Sequence, residues 1–334
     1  MGFIKNYSMI LKVLVLIVLI PLGLLSGPQA VDAQKSGKVY RIGWLGPTYG
    51  IYHEVFLKEI RRLGWVEEQD FVMEYRSVEG KFDRLAEHAA ELVSLNVDVI
   101  LTTQTPSTHA AKNAATTIPI VFTIVEDPVG DGFVASLAQP GGNLTGLSNN
   151  IIEIAGKVLQ LLNEAVPRAL RVAYLWNPDL DRIARLALEE IQTAANILGV
   201  ELQSVKVTNT RDLEPAFSAM VSGQAQALVV LAGPLMVENT TQIVALSLKN
   251  RLPLMVNGSS AWVQSGALMS YTPPYSPQFR RAAHLVDKIF KGGNPGEIPV
   301  ELPKIYDFAI NLKTAGELGI TIPQSLLWAN KVIE

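Results

Sequence analysis

The chain has 334 residues, 49% of them hydrophobic, enough to bury one large core or two ordinary ones. Its 28 basic residues against 31 acidic ones give a formal net charge of -3 without any basic cluster, which argues against a nucleic-acid surface or a polybasic membrane patch. The absence of cysteine excludes both a disulfide scaffold and the lipid-bearing cysteine of a lipoprotein signal.

Lys5 and Lys12 flank the start of an apolar run over 13–25, which ends in Ser26-Gly27-Pro28 and small residues around Val31-Asp32-Ala33. The pattern reads as a secretory signal over 1–33, cleaved after Ala33. The run is shorter than the roughly 20 residues of a spanning helix. An uncleaved N-terminal anchor is the other reading of this segment. On either, the folded part works outside the cytoplasmic membrane, in a periplasmic or extracellular compartment.

From residue 39 onward, short β-rich apolar runs alternate with helical patterns, the signature of parallel sheets covered on both faces. Strands are predicted over 39–45, 71–75, 97–102 and 118–124, with helices over 52–63 and 82–95 between them. The rhythm restarts after Gly141-Gly142-Asn143: a helix over 154–166, then strands over 171–176, 201–207, 227–231, 254–256 and 267–270, with helices over 183–198 and 240–250. A helix over 278–291, a Gly/Pro-rich stretch over 292–303, a strand over 306–312 and a short helix over 314–318 follow. These last elements are too few for a third domain and are expected to complete the two sheets. The predicted fold class is α/β, with two Rossmann-like lobes.

Ligands of open parallel sheets bind beyond the carboxyl ends of the strands. Three first-lobe loops fall there: Gly46-Pro47-Thr48-Tyr49-Gly50, Gln104-Thr105-Pro106-Ser107-Thr108 and Glu126-Asp127-Pro128-Val129-Gly130. In the second, Pro106 suits a first helical turn, whose free N–H groups with the Thr105 and Ser107 hydroxyls form a carboxylate or phosphate site; Thr105 equally suits a helix cap. Asp127 is placed to receive an ammonium group or to cap a turn. In Gly141-Gly142-Asn143-Leu144-Thr145-Gly146 the glycines suit a crossover hinge, and Asn143 and Thr145 offer donors and acceptors. The second lobe presents Trp176-Asn177-Pro178, Ala232-Gly233-Pro234, Asn257-Gly258 and Ser270-Tyr271 at equivalent strand ends. Trp44, Tyr49, Trp176 and Tyr271 are candidates for aromatic cleft walls or for core packing.

The glycine-rich dinucleotide fingerprint, the phosphate loop and the Gly-x-Ser-x-Gly elbow are all missing, and His53, His88, His109 and His284 show no metal spacing. No catalytic residue, metal or cofactor is expected. The adjacent Glu126 and Asp127 are weak signals of acid–base work.

The segments Leu63-Gly64-Trp65-Val66-Glu67, Glu79-Gly80-Lys81-Phe82-Asp83-Arg84-Leu85, Thr117-Ile118-Pro119-Ile120-Val121-Phe122 and Asp127-Pro128-Val129-Gly130 resemble bacterial ABC transporter substrate-binding proteins, the group that includes tryptophan and tyrosine binders. So do Pro140-Gly141-Gly142-Asn143-Leu144-Thr145-Gly146, Leu175-Trp176-Asn177-Pro178, Gly266-Ala267-Leu268-Met269-Ser270-Tyr271 and Asn311-Leu312-Lys313-Thr314-Ala315. The resemblance implies a type I periplasmic-binding-protein architecture with three interlobe crossings near Leu147, Tyr271 and Tyr306. The first lobe would then be 39–147 plus 272–305 and the second 148–271 plus 306–334. It further implies a small carboxylate-bearing ligand, with a lean to an aromatic amino acid, whose carboxylate Thr105 to Thr108 would hold while Asp127 and Asn177 meet its amine or polar groups. Glu126 stands where a glycine is usual before this Asp-Pro, placing an extra negative charge near the cleft. The implied partners are an ABC permease and its ATPase, with the binding protein a monomer. A sensory ligand-binding subunit for a membrane receptor is the alternative, and an exported Rossmann-like enzyme the third reading.

Overall fold

Strands whose every residue is buried, such as Val99–Thr103, exist only in sheets covered on both faces, and the computed structural model forms two of them. It describes residues 37–334 except Thr48, Tyr49, Gly80, Asp179 and Leu180 and the side chain of Asp181. The signal segment 1–33 with its cleavage point after Ala33, and the candidates Thr48 and Tyr49, lie outside the described residues. Tyr40–Glu334 form one compact unit.

The first sheet holds β1 (Tyr40–Gly46), β2 (Phe71–Ser77), β3 (Val99–Thr103), β4 (Ile120–Val125) and β5 (Leu144–Ser148), in the order β2-β1-β3-β4-β5 and all parallel. Strand alternation sorts its side chains between two cores. Ile42, Trp44, Val99 and Leu101 face α1 (Gly50–Arg62), while Leu45, Ile100 and Phe122 face α2 (Leu85–Ser94) and α3 (Thr105–Ala114).

The chain then builds α4 (Ala155–Ala165), β6 (Arg171–Trp176), α5 (Asp181–Leu198), β7 (Glu201–Lys206), α6 (Leu213–Ser222), β8 (Ala227–Leu231), α7 (Pro234–Glu238), α8 (Thr240–Lys249), β9 (Leu254–Asn257), α9 (Ala261–Gln264) and β10 (Met269–Thr272). After β10 it returns to the first sheet as α10 (Tyr275–Phe290), before β11 (Asp307–Asn311), α11 (Leu312–Leu318) and β12 (Lys331–Ile333) close the second. That sheet runs β12-β11-β10-β9-β8-β6-β7, parallel except where β11 meets β10. The chain therefore crosses between lobes at 149–154, 273–274 and 302–306, the three crossings of the type I binding-protein architecture.

Helix α10 is held by specific contacts on the first lobe. Phe279, Ala282, Ala283, Val286 and Phe290 join the α1 core, the Trp65 indole N–H donates to Asp287 Oδ1 at 2.8 Å, and the Tyr40 hydroxyl donates to the Phe290 carbonyl at 2.9 Å. His284 Nε2 donates to Glu59 Oε1 at 2.8 Å.

Two strands depart from the sequence reading. The expected hinge at Gly141-Gly142-Asn143-Leu144-Thr145-Gly146 is instead the lead-in to β5 and the strand itself, buried along its length, and the chain crosses only beyond it. Gly146 is glycine for packing, since a Cβ there would stand 2.2 Å from the Phe122 carbonyl oxygen. The short terminal strand β12, mostly exposed, carries too little apolar pattern to be read in advance. Gly146→Ala is expected to cost about 3 kcal/mol or more in denaturant unfolding, because the obstruction is backbone and cannot rotate away.

Candidate functional site

At the carboxyl ends of β1, β3 and β4 lies a cavity of about 120 Å³ lined by Trp44, Pro47, Tyr52, Thr103, Gln104, Ile124, Tyr275 and Phe279. Its wall is a stack of rings from three elements: Trp44 of β1 lies parallel to Phe279 of α10 at 5.6 Å, and Phe279 parallel to Tyr52 of α1 at 5.1 Å. Tyr275, one helical turn before Phe279, meets Tyr52 edge-on at 5.7 Å. The Trp44 indole N–H is buried and has no partner among the described residues.

The backbone beneath the cavity is strained. Gln104 has φ 70° and Ile124 has φ 56°, an unfavourable left-handed conformation for a β-branched residue. At Ile124 the β4–β5 register shifts, and its N–H turns to Gln278 Oε1 at 3.2 Å instead of the ladder. Gln278 Nε2 in turn donates to Asn149 Oδ1 at 3.0 Å, so one buried network joins β4, the first crossing and α10.

A polar corner adjoins the rings. The Thr105 hydroxyl at the start of α3 donates to Glu126 Oε2 at 3.1 Å. Burial pushes the Glu126 carboxyl up to about 7, against the Thr105 hydrogen bond that favours its charged form. Burial and the nearby Glu126 carboxylate push the Tyr275 hydroxyl up to about 12. The Asn149 side chain, hydrogen-bonding the Tyr275 hydroxyl, opposes that rise, and Ser107 Oγ is buried without a hydrogen-bond partner among the described residues.

Opposite this corner, Arg182 in the first turn of α5 reaches from the second lobe. Its guanidinium donates to Asp127 Oδ2 at 2.7 Å and to Asp131 Oδ1 at 2.8 Å, both carboxylates belonging to the first-lobe loop after β4. The head group packs on Gly130, where a Cβ would come within 2.4 Å of Arg182 Nη1. Asp127 Oδ1 also accepts the Gly130 N–H at 2.9 Å, and these donors outweigh desolvation to hold its carboxyl below the usual range.

The sequence candidates therefore separate. Trp44 and Pro47 line the cavity, and Thr105, Pro106 and Ser107 open α3 directly after the lining Gln104, with Pro106 supplying no N–H. Thr105 serves as neither cap nor open anion donor, because Glu126 takes its hydroxyl. Asp127 closes a turn, as its Asp-Pro context allowed, and its other oxygen accepts from Arg182. Asn143 and Thr145 do not reach the cleft: Asn143 Nδ2 donates to the Ala115 and Ile118 carbonyls at the opposite end of the sheet, and the Thr145 hydroxyl donates to the Ile298 carbonyl inside the lobe.

In the second lobe, Trp176 is buried with its N–H on Ser204, and Asn177 and Asn257 are buried at the ends of β6 and β9. Asn257 Nδ2 donates to the Ile151 carbonyl, while its Oδ1 lacks a partner among the described residues. Gly233 precedes the five-residue α7, and Tyr271 stacks on Tyr306 at 5.1 Å. Tyr52, Tyr275 and Phe279 were missed; the available signal was the i, i+4 aromatic pair opening a helix just past Pro273-Pro274. No group able to hold a metal ion occurs among the described residues, and none of their helices is long and apolar enough to cross a membrane.

The profile of the ABC transporter substrate binding protein family matches residues 53–333. A tyrosine-binding protein of Clostridioides difficile is 26% identical over 265 residues, covering 79% of this chain and 75% of the relative. Among solved structures, a conserved domain protein from Vibrio cholerae is 26% identical with a TM-score of 0.78, covering 88% of this chain and 100% of its own. An ABC domain in complex with L-Trp from Streptococcus pneumoniae has a TM-score of 0.79 at 23% identity, covering 89% of this chain and 100% of its own.

Glu126 makes stability depend on pH. The folded chain holds that proton up to about pH 7 whereas an ordinary glutamate releases it near 4.5, so its contribution is complete below the lower value and is lost as pH rises through the higher one. Glu126→Gln is expected to raise the unfolding temperature at pH 8 and to leave it nearly unchanged at pH 4, read by calorimetry. Arg182→Ala is expected to open the ligand-free protein, seen as a larger radius of gyration in X-ray scattering, with a stability change of only about 1 kcal/mol because the pair is partly solvated.

Proposed function

The chain belongs to the ABC transporter substrate-binding protein family, and from that premise we propose that it captures an aromatic amino acid between its lobes and delivers it to an ABC importer. The observation that carries the ligand class is the ring-walled cavity of Trp44, Tyr52, Tyr275 and Phe279 with polar groups at one corner. Aromatic faces held 5.1 to 5.6 Å apart by packing leave little to reorganise when a further ring joins the stack. The tyrosine-binding relative and the tryptophan-complexed structural neighbour support the same class.

In this reading the ring enters the first-lobe cavity while the amino-acid head meets unpartnered donors there. The second lobe, with Asn177, Asn257 and Trp176 at its facing strand ends, closes over it. With lobes of 39–147 plus 272–305 and 148–271 plus 306–334, closure is a hinge motion about the three crossings, and a ligand touching both lobes shifts the population toward the closed form. That form is what a permease with its ATPase recognises. The protein acts as an exported monomer, released by cleavage after Ala33, and performs no chemistry on its cargo.

Thermal unfolding of residues 34–334 with and without aromatic amino acids, other amino acids and small carboxylates tests this reading. A cognate ligand at a hundred times its dissociation constant is expected to add about 2.7 kcal/mol and several degrees. Trp44→Ala and Tyr275→Ala are expected to abolish that shift. Indifference of the wild-type protein to every aromatic amino acid, in protein stripped of co-purified ligand, would overturn the proposal.

A further inference from the structure

We infer that Glu126 determines specificity at this site, accepting a cationic amine of the ligand beside the ring-walled cavity and rejecting aromatic carboxylates that lack one; this rests on the aromatic-ligand reading above.

Three relations place Glu126 at the cavity. Ile124, two residues before it, lines the wall; its hydrogen-bond partner Thr105 follows the lining residue Gln104; and the lining Tyr275 hydroxyl stands in its electrostatic field. Its carboxylate is half-buried, yet no cation among the described residues pairs with it. The Arg182 guanidinium is engaged with Asp127 and Asp131. Asp131 adds negative potential at Glu126, so the corner repels a ligand offering only a carboxylate. A desolvated carboxylate held by one hydroxyl and its own backbone N–H, with no cation paired to it, is costly, and a ligand ammonium supplies the missing counter-charge. The ring faces of Trp44, Tyr52 and Tyr275 favour the same sign of charge. The Trp44 N–H, on the cavity wall and without a partner among the described residues, remains for an acceptor elsewhere on the ligand, which suits a zwitterion.

Pairing with a cation requires the ionised form of Glu126, so amine binding strengthens as pH rises toward and past about 7 and releases a proton below it. The groups that act on Glu126 are the Thr105 hydroxyl from α3, its own backbone N–H and the Asp131 carboxylate of its own loop, and the Tyr275 hydroxyl of α10 stands in its field. Tyr275, pushed up to about 12, stays neutral throughout this range.

The test is calorimetric titration of the full-length mature protein with three probes sharing one ring: L-tyrosine, tyramine and 3-(4-hydroxyphenyl)propionate, repeated with L-tryptophan, tryptamine and indole-3-propionate. The wild-type protein is expected to bind each amino acid and its amine at least about tenfold more tightly than the deaminated acid. Glu126→Gln is expected to collapse that ratio and to flatten the rise in affinity between pH 5.5 and 8 (approximate working limits around the Glu126 value). Equal wild-type affinity for amino acid and deaminated acid would overturn the inference, as would a ratio that survives Glu126→Gln. The wild-type ratio and pH profile decide the matter even where the variant fails to fold. If no probe of either series binds, the aromatic-ligand reading falls and this inference falls with it; binding without amine discrimination removes this inference alone.

Discussion

The ring stack of Trp44, Phe279 and Tyr52 exists only because α10 leaves the second sheet after β10 and packs back on the first. Phe279 sits between the other two rings, so the cavity wall joins strand β1, helix α1 and a helix almost 230 residues further along the chain. The return is anchored at the far end of α10 by Trp65 on Asp287 and Tyr40 on Phe290. Burying four or five large side chains on this face is worth on the order of 8–15 kcal/mol before entropy is charged, which exceeds what any polar contact in the cleft supplies. The cavity is therefore rigid on its first-lobe side, and the remaining freedom lies in the crossings.

The same return couples the cavity to the hinge. Gln278, on the turn of α10 that carries Phe279, bonds the displaced N–H of Ile124 and the side chain of Asn149, where the chain first crosses. A register shift in β4 frees that N–H, and the cost of the left-handed Ile124 is of order 1–3 kcal/mol. Strain of this kind survives only where packing overdetermines it, and here the compensating bond comes from the element that forms the ring wall. Gln278 thereby ties Asn149 at the first crossing to Ile124 on the cavity wall.

The βα alternation was legible because parallel strands buried on both faces read as uninterrupted apolar runs; β6 at Arg171–Trp176 and β8 at Ala227–Leu231 carry no polar interruption to blur them. Strand β5 was not, because Gly146 and Asn143 serve close packing against Phe122 and the α3–β4 connection, and these residue types look the same in a turn. Trp44 was visible as an aromatic residue near a strand end. Tyr275 and Phe279 were hidden by topology, since nothing local says that a helix following a second-lobe strand belongs to the first lobe. Asp127 was visible as a charge, but its partner Arg182 lies in another lobe, and no spacing along the chain encodes that meeting.

Charge and apolar burial divide the work of closure between them. The Arg182 clasp joins the lobes, yet Arg182 is 35% exposed and Asp127 28%, so solvent screens the pair to about 1 kcal/mol or less. A clasp of that strength populates closed forms only a few-fold and yields readily when cargo must leave. The ring cavity is the opposite case: its wall is built by one lobe alone, from β1, α1 and α10. The ring wall thus rests on burial within one lobe, and the contact between the lobes on a partly exposed ion pair.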